Sequence, residues 1–131
     1  MIALDTNILV RYFAQDDAPQ FRTVLRLLSS NTAQYFVCDL VLAETDWVLR
    51  SLYDWTADEV ADAFARITTI HNLHFEDEAR LRASLKALRE GADLADELIV
   101  RHGRSRGCSH FVTFDKAIAK RHKPFARPPG S

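Results

Sequence analysis

Asp5, Glu44, Asp96 and Asp115 stand far apart in the chain, and each sits where burial alone gives a carboxylate little reason to be. Asp5 closes the apolar run Ile2-Ala3-Leu4, and Asp115 closes Phe111-Val112-Thr113-Phe114. Both runs read as buried strands, and open α/β sheets gather ligands beyond the carboxyl ends of their strands. Glu44 falls within an apolar helical stripe, and Asp96 within the first turn of another helix. Carboxylates that share a crevice repel each other unless a cation or shared protons relieve them. The chemistry that suits this set is capture of a hard divalent cation by oxygen ligands.

Each acid also has a structural alternative. In Leu4-Asp5-Thr6-Asn7, either Asp5 or Thr6 could cap the following helix. If Thr6 caps, Asp5 is free to face the crevice and Asn7 to orient it. Glu44 shares a helix face with Val41 and Val48, beside Thr45, Leu49 and Leu52, so it is expected to be partly desolvated and to need a partner. An ion pair with Arg11 is its alternative. Asp46, with Arg50 four residues on, reads as a surface ion pair and is set aside. Asp93 resembles an N-cap, and Asp96 at the third helical position suits the helix dipole. Ile99 and Val100 place Asp96 on the face toward the protein, whereas Glu97 turns to solvent. Asp115 precedes a helix and has capping as its alternative. His71 and His74 flank a strand entrance without a third ligand nearby.

The elements that must position these groups alternate strand and helix. Ile2–Asp5 is a strand, followed by a helix from about Asn7 to Ala14. Pro19 is placed as the first residue of the next helix, whose apolar face is Phe21, Val24, Leu25 and Leu28. Tyr35–Cys38 is a second strand, and Asp39 an N-cap for a helix to about Tyr53. Thr56 and Glu59 have capping-box spacing and open a helix to about Thr69. Leu73–Phe75 is a third strand, and Glu76–Glu90 a helix ended by Gly91. A shorter helix from Asp93 to about Gly103, a strand at His110–Phe114 and a helix at Lys116–Arg121 complete the pattern. Such alternation predicts an α/β fold: one domain with a mainly parallel central sheet and helices on both faces. The domain is expected over residues 1–123, with an irregular Pro-rich tail at 124–131.

A chain of 131 residues with 47% apolar content suits one compact domain, and 27% charge argues against disorder. No apolar run approaches a membrane span, and Met1 leads directly into the first strand, so a cytoplasmic chain without a signal peptide is expected. Cys38 and Cys108 lack metal-ligand spacing and read as reduced, mostly buried thiols. The net charge of −1 conceals an asymmetry: residues 1–100 hold 9 basic and 17 acidic residues, and residues 101–131 hold 8 basic residues and Asp115. An acidic body with a basic final quarter can hold a cation and attract a polyanion. Arg101, Arg104, Arg106, Lys116 and Lys120 are the candidates for contacting a nucleic-acid backbone. Trp47, Tyr53 and Trp55 read as core or interface residues.

With these residues in view, the sequence resembles the PIN-domain ribonucleases, and among them the VapC-type toxins of bacterial toxin–antitoxin pairs. Leu4-Asp5-Thr6-Asn7-Ile8-Leu9-Val10-Arg11, followed by Asp16-Asp17, resembles the family's first acidic motif. Leu42-Ala43-Glu44 resembles the second, Leu94-Ala95-Asp96-Glu97-Leu98-Ile99 the third, and Val112-Thr113-Phe114-Asp115 the fourth. The resemblance spans essentially the whole chain in order and spacing, and departs at Glu97, where the family often has alanine. It implies an Mg²⁺- or Mn²⁺-dependent endoribonuclease with Asp5, Glu44, Asp96 and Asp115 as the catalytic quartet. Asp5, Asp96 and Asp115 would hold the metal, supported by Thr6, Asn7, Asp93 and Thr113, with Asp93 the rival to Asp96 as third ligand. It further implies cleavage of RNA (transfer or ribosomal), a homodimer, and a cognate VapB-type antitoxin whose C-terminal segment covers the site.

In that reading the cation acidifies an attacking water and stabilises charge on the phosphate. Glu44 ligates a water or a second ion, or takes the proton. The products expected from the resemblance carry a 5′-phosphate and a 3′-hydroxyl. Two rivals stand beside it: a phospho-aspartate phosphotransfer domain, and a PIN fold kept as a binding scaffold. The first wants an Asp two residues after the nucleophile, where this chain has Asn7, or an acidic pair on the first strand. The second leaves the repulsion among the four acids without purpose.

Overall fold

The computed structural model describes residues 1–131. Its elements run β1 (Ile2–Ala3), α1 (Thr6–Ala14), α2 (Ala18–Leu28), β2 (Tyr35–Val37), α3 (Asp39–Leu52), α4 (Ala57–Ile67), β3 (Leu73–Phe75), α5 (Glu78–Arg89), α6 (Leu94–Ser105), β4 (Phe111–Val112), α7 (Lys116–Arg121) and β5 (Ala126–Arg127). β1, β2 and β3 pair in parallel in that order, Ile2 opposite Tyr35 and Tyr35 opposite Leu73. β4 and β5 form a second parallel ladder, Phe111 opposite Ala126. Parallel neighbours need long crossovers, and here helices supply them. The expected α/β class with parallel strands is the observed one.

Local chemistry sets the helix ends. Asp17 caps α2 by accepting from the Gln20 N–H, and Pro19 lies in the first turn, one residue later than expected. Thr56 and Glu59 form both halves of the capping box that opens α4. Gly91, at φ +101°, follows the C-cap of α5 in a conformation that glycine adopts without strain. Asp39 departs from expectation: Cys38 holds the N-cap position without a side-chain bond, and Asp39 is the first helical residue. It is buried and paired with Arg80 at 2.9 Å.

The core gathers Leu9 of α1, Val37 of β2, Leu42 and Leu49 of α3, Phe64 and Ile67 of α4, and Leu81 and Leu88 of α5. Phe64 is fully buried and stacks on Phe13 at 5.6 Å, with Trp55 edge-on to Phe13. Truncating such a side chain to Ala costs about 3–5 kcal/mol.

Three further expectations are corrected. β2 is the strand with a buried pattern, whereas Ile2 in β1 is 53% exposed and Val112 in β4 54%. Each of β1 and β4 has a ladder partner on one side only, which leaves much of both in solvent. The tail is not irregular throughout: Phe125 and Ala126 are buried, and Ala126–Arg127 is β5. Cys108 is exposed and Cys38 half-buried, both as free thiols. No helix is long and apolar enough to cross a membrane.

Candidate active site

Asp5 lies just past β1 and itself caps α1, its Oδ1 accepting from the Thr6 N–H at 2.8 Å. Thr6 is therefore not the cap; it is the first helical residue and is buried. Only one Asp5 oxygen is engaged, and the residue is exposed, as is Asn7. Asp115 repeats this arrangement past β4. Its Oδ1 accepts from the Ala117 and Ile118 N–H groups at 2.9 and 3.0 Å, and its own N–H donates to Thr113 Oγ1 at 2.9 Å. Thr113 thus supports Asp115, and the capping alternative and an open second oxygen coexist in both acids.

Asp93 caps α6, its Oδ2 accepting from the Asp96 N–H at 3.0 Å, and its Oδ1 lies 3.5 Å from Arg50. With both Asp93 oxygens engaged, Asp96 is the freer of the two: its carboxylate takes no hydrogen bond and no ion pair from the protein. Asp96 is half-buried, and its carboxyl is pushed above the ordinary carboxylate range. Burial is the first cause, followed by the charges of Asp93, Asp115 and Glu97.

Glu44 is exposed, not desolvated, and forms no ion pair. The inward face of α3 is Leu42, Thr45, Asp46 and Leu49, one residue-step round from the expected stripe. Arg11, the alternative partner, binds Asp16 at 2.5 Å, and Tyr53 donates to the other Asp16 oxygen at 2.7 Å. No three carboxylate, imidazole or thiol side chains stand within reach of a common cation. The charge of Asp115 is felt at Asp96, and Asp5 and Glu44 do not join the two in one ligating group. Capping bonds hold one oxygen each of Asp5 and Asp115 to their own helices. The donor chemistry still fits a hard cation: the acids are all oxygen donors, and the unrelieved charge on Asp96 is what such an ion offsets.

A model of the PIN domain matches residues 2–124. The chain belongs to the PIN domain family. No curated protein matches it at a significant level. The PIN domain is generally a nuclease fold, and PIN domains commonly use divalent metal ions.

Around the PIN site, two residues set aside from the sequence prove structural neighbours of the acids. Asp46 is not a surface residue: it is 2% exposed and holds Arg50 through both oxygens at 2.8 Å. Arg50 in turn meets Asp93, so α3 steadies the cap of the helix that carries Asp96. Glu97, expected in solvent, is 1% exposed and bonded to His122 and Arg101. Ile99, expected inward, is exposed instead. A signal existed for both acids. Asp46 lies four residues after Leu42 and three before Leu49, and Glu97 three after Leu94, which is core-facing spacing in each helix.

The basic quarter of this PIN domain is narrower in effect than its charge count. Arg101 is tied to Glu97 at 3.1 Å, and the Arg104 guanidinium sits 4.2 Å over the Phe125 ring. Arg106, Lys116 and Lys120 are exposed without ion pairs and remain free for a polyanion. Phe114, beside Asp115, is 87% exposed.

Proposed function

We propose that this chain is a divalent-metal-dependent endoribonuclease acting as the VapC-type toxin of a toxin–antitoxin pair. The observation that carries the reading is Asp96: a half-buried carboxylate without a protein partner, raised by burial and by the charges of Asp93, Asp115 and Glu97, in a PIN domain. Asp5, Asp96 and Asp115 would hold Mg²⁺ or Mn²⁺. The free oxygens of Asp5 and Asp115 and the whole carboxylate of Asp96 are the groups available to it.

When bound, such an ion supplies positive charge for the phosphate and lowers the pKa of water. Glu44, exposed and unpaired, accepts the proton of the attacking water at its carboxylate. Water oxygen bonds to phosphorus as the bond to the 3′-oxygen breaks, and that oxygen takes up a proton from solvent, leaving a 5′-phosphate and a 3′-hydroxyl. Arg106, Lys116 and Lys120 hold the RNA backbone. Thr113 and Asp93 fix the N-terminal turns that orient Asp115 and Asp96. A cognate antitoxin would silence the site, and a homodimer is the expected assembly in the cytoplasm.

Controlled expression of the intact chain, followed by sequencing of newly formed RNA ends, tests this reading. Growth arrest with new 5′-phosphate ends at discrete transfer or ribosomal RNA positions is expected, and both should vanish with Asp96→Asn. Arrest that persists in the Asp96→Asn strain contradicts it.

A further inference from the structure

Glu97 is the most buried carboxylate of the protein, and it joins the two helices that carry the acids Asp96 and Asp115. Its Oε2 lies 2.5 Å from His122 Nε2 and 3.8 Å from Arg121 Nε, and its Oε1 accepts from Arg101 at 3.1 Å. Glu97 follows Asp96 directly in α6. His122 is the C-cap of α7, the six-residue helix whose N-cap is Asp115. One end of α7 therefore carries a candidate ligand, and the other is gripped from beside its counterpart.

α7 has no fully buried residue: Ile118 and Ala119 are half-buried, and Arg121 also binds Glu90, the C-cap of α5, at 2.7 Å. The head of α7, at Asp115, makes hydrogen bonds only within its own turn. Opposite charge and hydrogen bonds at the other end draw the helices together. A buried ion pair is often no more stabilising than apolar side chains of similar volume. What this one supplies is a fixed geometry, with both Glu97 oxygens occupied and His122 itself buried.

We propose that Glu97 is a positioning residue: its clasp on His122, with Arg121 at longer range, sets α7 and the Asp115 at its head against α6 without help from a cation. The proposal rests on the nuclease reading only for its metal readout. Ligands oriented by such outer contacts typically lose about 10- to 100-fold in metal affinity when the contact is removed.

The test compares the full chain with Glu97→Ala, His122→Ala and Glu97→Gln, each checked for folding by circular dichroism. Amide hydrogen exchange across α7, Mn²⁺ binding by calorimetry, and kcat and KM on RNA are then measured. For Glu97→Ala and His122→Ala, exchange should quicken in α7 and not in α5. Mn²⁺ Kd should rise about tenfold, and kcat should fall with KM unchanged. Glu97→Gln keeps the hydrogen-bonding shape and guards against misfolding of the Ala variants; it should raise the Mn²⁺ Kd a few-fold. Wild-type exchange in α7 in a folded Glu97→Ala variant overturns the proposal, as does faster exchange spread evenly over the whole fold. If the wild type neither binds Mn²⁺ nor cleaves RNA, yet α7 alone loosens in Glu97→Ala, the clasp stands and the nuclease reading falls.

Discussion

Arg50 of α3 lies 3.5 Å from Asp93, the cap of α6, while the same guanidinium is held by both oxygens of the buried Asp46. The chain thus reaches from its second acidic helix to the start of its third through one arginine. Burial raises the Asp46 carboxyl, and Arg50 works against that rise. Removing the arginine leaves a nearly inaccessible carboxylate unpaired. Arg50→Ala is expected to cost about 3–5 kcal/mol in urea unfolding, because breaking one side of a buried pair strands the other. Arg50→Lys should recover only part, since a lysine cannot match the two-pronged contact. A loss near zero for Arg50→Ala would mean that Asp46 is satisfied in some other way.

Asp96→Asn should raise, or leave unchanged, the melting temperature of the metal-free protein at neutral pH. The sign follows from its carboxyl, which folding pushes upward through burial and the charges of Asp93, Asp115 and Glu97. A group raised on folding contributes stability in acid and loses it as pH climbs through its folded value. At neutral pH the ionised Asp96 is therefore a burden that Asn removes. The same variant should lose most of the Mn²⁺-induced rise in melting temperature. In the wild type that rise reflects about 2.7 kcal/mol at a hundredfold excess over Kd. Asp5→Asn should behave likewise, because Asn replaces Asp as an N-cap at little cost.

Asp39 gives a second pH dependence. Its carboxyl is raised chiefly by burial, against the opposing pull of Arg80. Its contribution is therefore present in acid and fades as pH rises through the folded value. Thermal melts of wild type and Asp39→Asn should show the variant gaining on the wild type between about pH 3.5 and pH 7. A constant gap across that range would contradict the burial argument.

Binding of a non-cleavable RNA should weaken with salt, by counterion release. Neutralising Arg106, Lys116 or Lys120 should each flatten the slope by about 0.7 for single-stranded RNA. Arg104→Gln should change it less, since that guanidinium already lies over Phe125. Filter binding between 50 and 200 mM salt, roughly the span over which such effects are large, distinguishes the two groups.

Much of this fold was readable from local chemistry. The Thr56–Glu59 capping box, the Gly91 stop and the Asp93 cap lie where short-range spacing put them. Tertiary facing was harder to read. Val41, Glu44 and Val48 looked like the inward stripe of α3, and the true face is Leu42, Thr45, Asp46 and Leu49. Two charged residues on core faces, Asp46 and Glu97, looked solvated because each has an arginine four residues on, Arg50 and Arg101. Their links to other elements, Asp93 through Arg50 and His122 of α7, lie far along the chain. Such partnerships between elements leave no periodic trace in sequence. The membership in the PIN family, by contrast, was carried by four short motifs in order, two just past strands and two within helices. The sequence pointed all four acids at one ion. The structure does not gather three of them within reach of a common cation, since side-chain direction at the head of a helix is not written in the spacing.

The most direct measurement incubates the purified full chain with end-labelled RNA at saturating Mn²⁺, against EDTA and against Asp96→Asn. The account predicts cleavage by the wild type with Mn²⁺ alone, leaving 5′-phosphate ends. RNA left intact by the metal-saturated wild type, or cut equally well by Asp96→Asn, would contradict it.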